Sequence, residues 1–165
     1  MSAIAGATAS ATMTTKELLR PRLEREHARW IEEVRAALEP AQRADAGAWA
    51  RWNALRYLQS TFPARLDQER RMVQSASGAL SDDQRDNLWA LSELLDALRE
   101  HLDHLVGLCH RAEQFSTVTD KILTALSHWC RAVEADLGPM PATTVSPTTR
   151  DLLAQLSAEP AASGA

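Results

Sequence analysis

Over residues 81–114, SDDQRDNLWALSELLDALREHLDHLVGLCHRAEQ, the apolar residues Leu88, Leu91, Leu95, Leu98, Leu102, Leu105 and Cys109 return at three- and four-residue steps. At about 100° per residue these steps fall on one stripe, the pattern of a helix with one buried face. Ser81 followed by Gln84 spells a capping box, in which each side chain satisfies an orphan N–H of the first turn. A helix of roughly 30 residues is about 45 Å long and needs partners to bury its stripe.

The chain supplies three. A first helix is expected from Thr14 or Thr15 to Glu39, with Leu19, Leu23, His27, Trp30, Ile31, Val34 and Leu38 on its stripe. Pro21 is tolerable in its first turns, and Pro40 marks its exit. A second runs over residues 48–76 with Leu55, Leu58, Phe62, Leu66, Glu69 and Val73 inward, and a kink is expected at Pro63. Residues 115–119 turn the chain into a fourth helix carrying Ile122, Leu126, Trp129, Val133 and Leu137, stopped by Gly138, Pro139 and Pro141. No stretch alternates like a strand. The expected fold is all-α, an up-down-up-down four-helix bundle over residues 15–140. Residues 1–14 are expected to be disordered, and residues 141–165 to form a flexible tail with one short apolar cluster at 151–156.

Composition adds exclusions. With 165 residues the chain is long enough to bury one core. A net charge of −4 and a pI near 5.7 argue against a nucleic-acid binder. No apolar run approaches the roughly 18 residues of a membrane span, and the N-terminus lacks a secretion signal, so a cytoplasmic location is expected. Cys109 and Cys130 lack metal or redox spacing.

The informative residues are polar ones on core stripes. His27 lies near the centre of the first stripe, where it is either a core histidine bonded to a carbonyl or carboxylate, or a metal ligand. Glu69 lies close to the centre of the second, and an ionised carboxylate there needs a partner. Arg65, one turn earlier, is a ready one. His101 sits at the border of the third stripe, whereas His104, His110 and His128 point away from the core. Trp30 and Trp129 fall on stripes; Trp49, Trp52 and Trp89 fall off them.

Together these segments resemble a hemerythrin-like (HHE cation-binding) domain, a family of four-helix bundles that bind a non-haem iron pair through inward histidines and carboxylates. LEREHARWIEEVRAAL is similar to the family's Leu-x-x-Glu-His opening, and His27 matches its first ligand. FPARLDQERRMV resembles the Pro-x-His-x-x-x-Glu segment, with Glu69 in place and Arg65 where a histidine belongs. In ALREHLDHLVGL, His101 matches one ligand and Leu105 replaces another. ALSHWCRAVEADLGPM resembles the closing His-x-x-x-Glu-Glu segment, but Trp129 and Val133 hold the inward positions, leaving Glu134 as a substitute carboxylate. The resemblance thus implies His27, Glu69, His101 and Glu134 as residual metal candidates, and a di-iron site that has been lost. Counting from a loop centred near residue 79 puts Glu69 and His101 about 18 Å apart along the axis.

The function implied is a hemerythrin-like binding or regulatory module with no cofactor, acting through a protein partner or a homo-oligomer. Two alternatives stand beside it: a non-haem iron (or other metal) sensor or store for O₂ or NO, and a helical assembly or scaffold protein unrelated to hemerythrins. No nucleophile–base set, phosphate loop or exposed carboxylate pair suggests an enzyme. No contact with nucleic acid or membrane is expected.

Overall fold

The computed structural model of the protein describes residues 17–108 and 112–157, with side chains outside 102–113. It is all-helical: α1 (Arg20–Gln42), α2 (Ala48–Ser75), α3 (Asp82–Leu108), α4 (Ala112–Leu137) and α5 (Pro147–Ser157), with one 3₁₀ turn at Ser77–Ala79. The first four span 23, 28, 27 and 26 residues, as the stripes require. Helix α3 packs on α4, α4 on α1 and α1 on α2, while the α2–α3 seam is the lightest of the four. Among the described residues the isolated Leu18–Pro141 bridge is the one strand-type pairing. No helix among them is long and apolar enough to cross a membrane.

Local chemistry explains the boundaries. Helix α1 begins at Arg20, five residues later than its expected start. Residues 17–19 run alongside the end of α4 instead, with Leu19 N–H donating to Met140 O at 3.0 Å and Arg20 N–H to Gly138 O at 3.1 Å. Pro21 then sits in the first turn, where its missing N–H costs nothing. Pro40, expected to end α1, lies inside its last turn. Helix α2 continues through Pro63. The capping box at α3 forms as read: Ser81 N–H donates to Gln84 Oε1 at 2.9 Å and Gln84 N–H to Ser81 Oγ at 3.2 Å. Gly138 is held to glycine by crowding, since a Cβ there would lie 2.1 Å from the Glu134 carbonyl oxygen.

Two expectations are corrected. Residues 115–119 are not a turn; they lie within α4, and Phe115, Val118 and Thr119 are buried. Thr119 Oγ1 accepts from Gln42 Nε2 at 2.8 Å and donates back to the Phe115 carbonyl, which seats a poor helix former in the helix. With α4 already under way at Ala112, its pairing with α3 shifts by roughly 16 Å, the eleven or so residues between His101 and the level of Leu88 and Ser92. Trp129 therefore lies beside Leu88 and Ser92 rather than level with His101.

The second correction concerns the expected flexible tail, whose residues 147–157 form α5 against α2. Ser146 Oγ caps it by accepting from Thr149 N–H at 3.1 Å, Pro147 is its first residue, and Leu153 and Leu156 bury one face. Its last carbonyls are taken by arginines of other helices. Arg65 Nη1 donates to Leu156 O at 2.8 Å, and Arg29 Nη2 donates to Leu156 O and Ser157 O at 3.2 and 3.4 Å. Cations there also complement the negative end of the helix dipole. The segment expected to be disordered, residues 1–14, lies outside the described residues, as do Cys109 and the side chains of Leu102, His104 and Leu105.

Candidate functional site: a buried ion cluster

Three of the four residues nominated from sequence meet at the centre of the molecule. The stripe of α1 turns His27 inward, where it is 1% exposed. Its Nδ1 lies 2.8 Å from Glu134 Oε1 of α4, and its Nε2 lies 3.3 Å from Glu69 Oε2 of α2. Glu69 is fully buried, and its second oxygen accepts from Arg65 Nη2 at 3.4 Å. Arg65 lies over the Trp30 ring, 5.3 Å from its centroid, and continues to the end of α5. The fourth nominee, His101, is exposed on α3 and takes no part. At this level α3 offers Leu88, Ser92 and Leu95, all buried.

The chemistry of the ring follows from its neighbours. An ionised carboxylate only accepts hydrogen bonds, and a neutral imidazole has a single N–H. With carboxylates at both nitrogens, the form that satisfies both contacts is the imidazolium. Burial by itself lowers the pKa of His27, but the hydrogen bonds to Glu134 and Glu69 and the charges behind them outweigh it. They carry the value from 6.5 up to about 9. Two cations, His27 and Arg65, then balance two anions, Glu69 and Glu134. Such closure is what a buried charge requires.

The arrangement does not fit a metal. A cation needs an unprotonated ring nitrogen and carboxylates converging on the same point. Here Glu134 and Glu69 sit at opposite edges of the ring, and the Arg65 guanidinium occupies one of the Glu69 oxygens. Among the described residues no group of three or more His, Cys, Asp or Glu side chains is disposed to hold a metal ion. Cys130, one turn before Glu134, is buried and unpaired by any disulfide. Burial, with Glu69 and Glu134 nearby, pushes its thiol well above the usual range, so it is no nucleophile.

A pH dependence follows. The folded pKa of His27 lies above its unfolded value, so its contribution is complete below pH 6.5 and is lost as pH rises through about 9. Unfolding free energy should therefore fall by about 1.4 kcal/mol per pH unit in the middle of that window, roughly 3 kcal/mol in all. Urea titrations at stepped pH read this directly, and a flat profile between pH 6.5 and 9 would contradict it. Ionisation of Cys130 in the unfolded chain adds a further loss above the ordinary thiol range.

Arg65–Glu69 pairing and inward His27 and Trp129 were legible from spacing; the arm to α5 was not, because α5 itself was unforeseen. Glu134 is the residue that a wheel places off the inward line, and it is 22% exposed. Its reach toward His27 depends on side-chain length rather than on stripe position. No protein-family model, no curated protein and no solved structure matches the chain.

Proposed function

We propose that the chain is a metal-independent binding or regulatory module: an up-down-up-down four-helix bundle of hemerythrin-like pattern, formed by α1–α4, in which the His27 imidazolium takes the central place of a metal cation. The observation that carries this reading is the engagement of both His27 nitrogens by carboxylates from α2 and α4. In the hemerythrin-like pattern the positions of His27 and Glu69 are ligands, and Glu134 is the substitute for a carboxylate one residue away. Here the same carboxylates bind a proton-carrying ring, and Arg65, standing at a ligand-histidine position, supplies the second positive charge.

A binding role fits better than a catalytic one because the cluster is sealed. His27 and Glu69 are buried and mutually satisfied, so neither offers a free base or a route for substrate. The surface, by contrast, carries Trp49, Trp52 and Trp89 exposed by 71, 47 and 64%. Tryptophans are enriched where one protein surface grips another molecule.

Iron(II), zinc and manganese, each added in about threefold excess, should leave the His27 ring signals in an NMR spectrum unmoved, because no ring nitrogen is free to ligate. Protein purified without a histidine tag should carry no stoichiometric metal. Stoichiometric iron, or a metal-dependent shift of His27, would overturn the reading.

A further inference from the structure

Three arginines converge on the last two residues of α5 from two other helices. Arg65 of α2 donates to the Leu156 carbonyl, and Arg29 of α1 donates to the Leu156 and Ser157 carbonyls. Arg22, two turns before Arg29, takes the side chain instead. Its Nε and Nη2 both donate to Ser157 Oγ, each at 3.3 Å. Two N–H groups on one edge of a guanidinium form the fork that matches the paired oxygens of a carboxylate or a phosphate. Here the fork closes on a single neutral oxygen, and among the described residues Arg22 has no carboxylate partner.

Arg22, Arg29 and Ser157 are all partly exposed, so the corner they form opens to solvent. A phosphoryl group on Ser157 Oγ would bring a charge of about −1.5 to −2 and three acceptor oxygens to the fork. Bonds of that kind are about twice as strong as the neutral ones now present. Two features oppose an anion here. The terminal carbonyls of α5 carry the negative end of its dipole, and Glu26 pairs with Arg29 at 2.7 Å. The sign of a phosphate's effect on α5 therefore depends on whether the arginines outweigh the helix end.

From the Arg22 fork we infer that Ser157 is a phosphorylation site, whose phosphate is received by Arg22 and Arg29 and fixes α5 on the bundle. The step is phosphoryl transfer by a protein kinase from a nucleoside triphosphate. A bond forms from Ser157 Oγ to the terminal phosphorus, the bond from that phosphorus to its bridging oxygen breaks, and the nucleoside diphosphate leaves. The hydroxyl proton passes to the kinase's base. Helix α5 has 11 residues and Ser157 is the last, so local opening of its final turn presents the hydroxyl. Neither Arg22 nor Arg29 belongs to the His27 cluster, so this inference and the metal-independent reading fail separately.

The test compares the full chain with and without phosphoserine installed at position 157 by genetic encoding. Phosphate should slow amide hydrogen exchange in α5 by about fivefold or more, with α1–α4 unchanged. In an Arg22→Gln background the same phosphate should give no slowing, or should speed exchange, because the helix end then repels it. The ³¹P titration midpoint should fall about half a unit below the ordinary value of about 6, and Arg22→Gln should restore it. Inorganic phosphate added to the unmodified chain should leave α5 exchange unaltered. In protein isolated from the cells that make it, fragment mass spectra should place phosphate on Ser157. The proposal is overturned if phosphate loosens α5 in the wild type, if Arg22→Gln leaves its effect intact, if free phosphate acts as well, or if Ser157 is unmodified in the isolated protein.

Discussion

Replacing His27 with alanine should lower the unfolding free energy by about 3–5 kcal/mol, the cost of breaking a buried ion pair from one side. The reason is what remains. Glu69 is fully buried, and without the ring its charge faces only Arg65, at 3.4 Å and on one oxygen. Glu134 is 22% exposed and can turn to water, so most of the penalty falls on Glu69. A loss of this size is a large share of the roughly 5–15 kcal/mol that stabilises an ordinary domain. The variant should also lose the fall in stability between pH 6.5 and 9, since the group that titrates there is gone. Combining His27→Leu with Glu69→Leu should recover most of the loss, because well-packed apolar residues often replace a buried pair at little cost. Urea melts of the three proteins decide the matter. A cost below about 1 kcal/mol for His27→Ala would mean that the cluster is not coupled as its geometry indicates.

Trp129→Ala should cost a similar amount, about 3–5 kcal/mol, as a large-to-small change in a closed core. Trp129 is 1% exposed on the face of α4 that also buries Ile122, Leu126 and Val133. Its removal would leave a cavity beside the buried Val73, Leu88 and Ser92. Its preceding residue gives the contrast: His128 is exposed, so His128→Ala should lie within about 0.5 kcal/mol of wild type. Equal effects at the two positions, read by chemical denaturation, would contradict the helix rotation described.

The four long helices were legible because their stripes are long and regular. Periodicity separated Trp129 from His128, and put His27 and Glu69 inside, since a 100° step leaves little room for error over seven turns. The capping box at Ser81 was equally plain. What periodicity could not supply was register. The α3–α4 turn was expected at residues 115–119, where serine, threonine and valine are poor helix formers. Burial of Phe115 and Val118, with Gln42 bonding Thr119, overrides that preference. Helix α5 was missed for a related reason. Its sequence shows one six-residue apolar cluster in a Pro/Ala/Ser/Thr-rich stretch, although Ser146 and Pro147 form a helix start signal just before it. Arg22, Arg29 and Arg65, which hold its end, come from α1 and α2.

The site divides in the same way. Each nominated residue could be placed on a face of its own helix, and the Arg65–Glu69 pair is local enough to read at i,i+4. Convergence of Glu69 and Glu134 on one ring depends on how three helices slide past one another, which no single stripe records. His101 shows the converse: the resemblance to the hemerythrin-like pattern made it a ligand candidate at a stripe border, yet it is exposed.

The central claim, that His27 is an internal cation, is tested most directly by ¹⁵N NMR of the imidazole ring as a function of pH. Both ring nitrogens should show the shift of a protonated nitrogen at neutral pH, with a midpoint near 9 on titration upward. A ring that is neutral at pH 7, titrating at or below 6.5, would contradict the account.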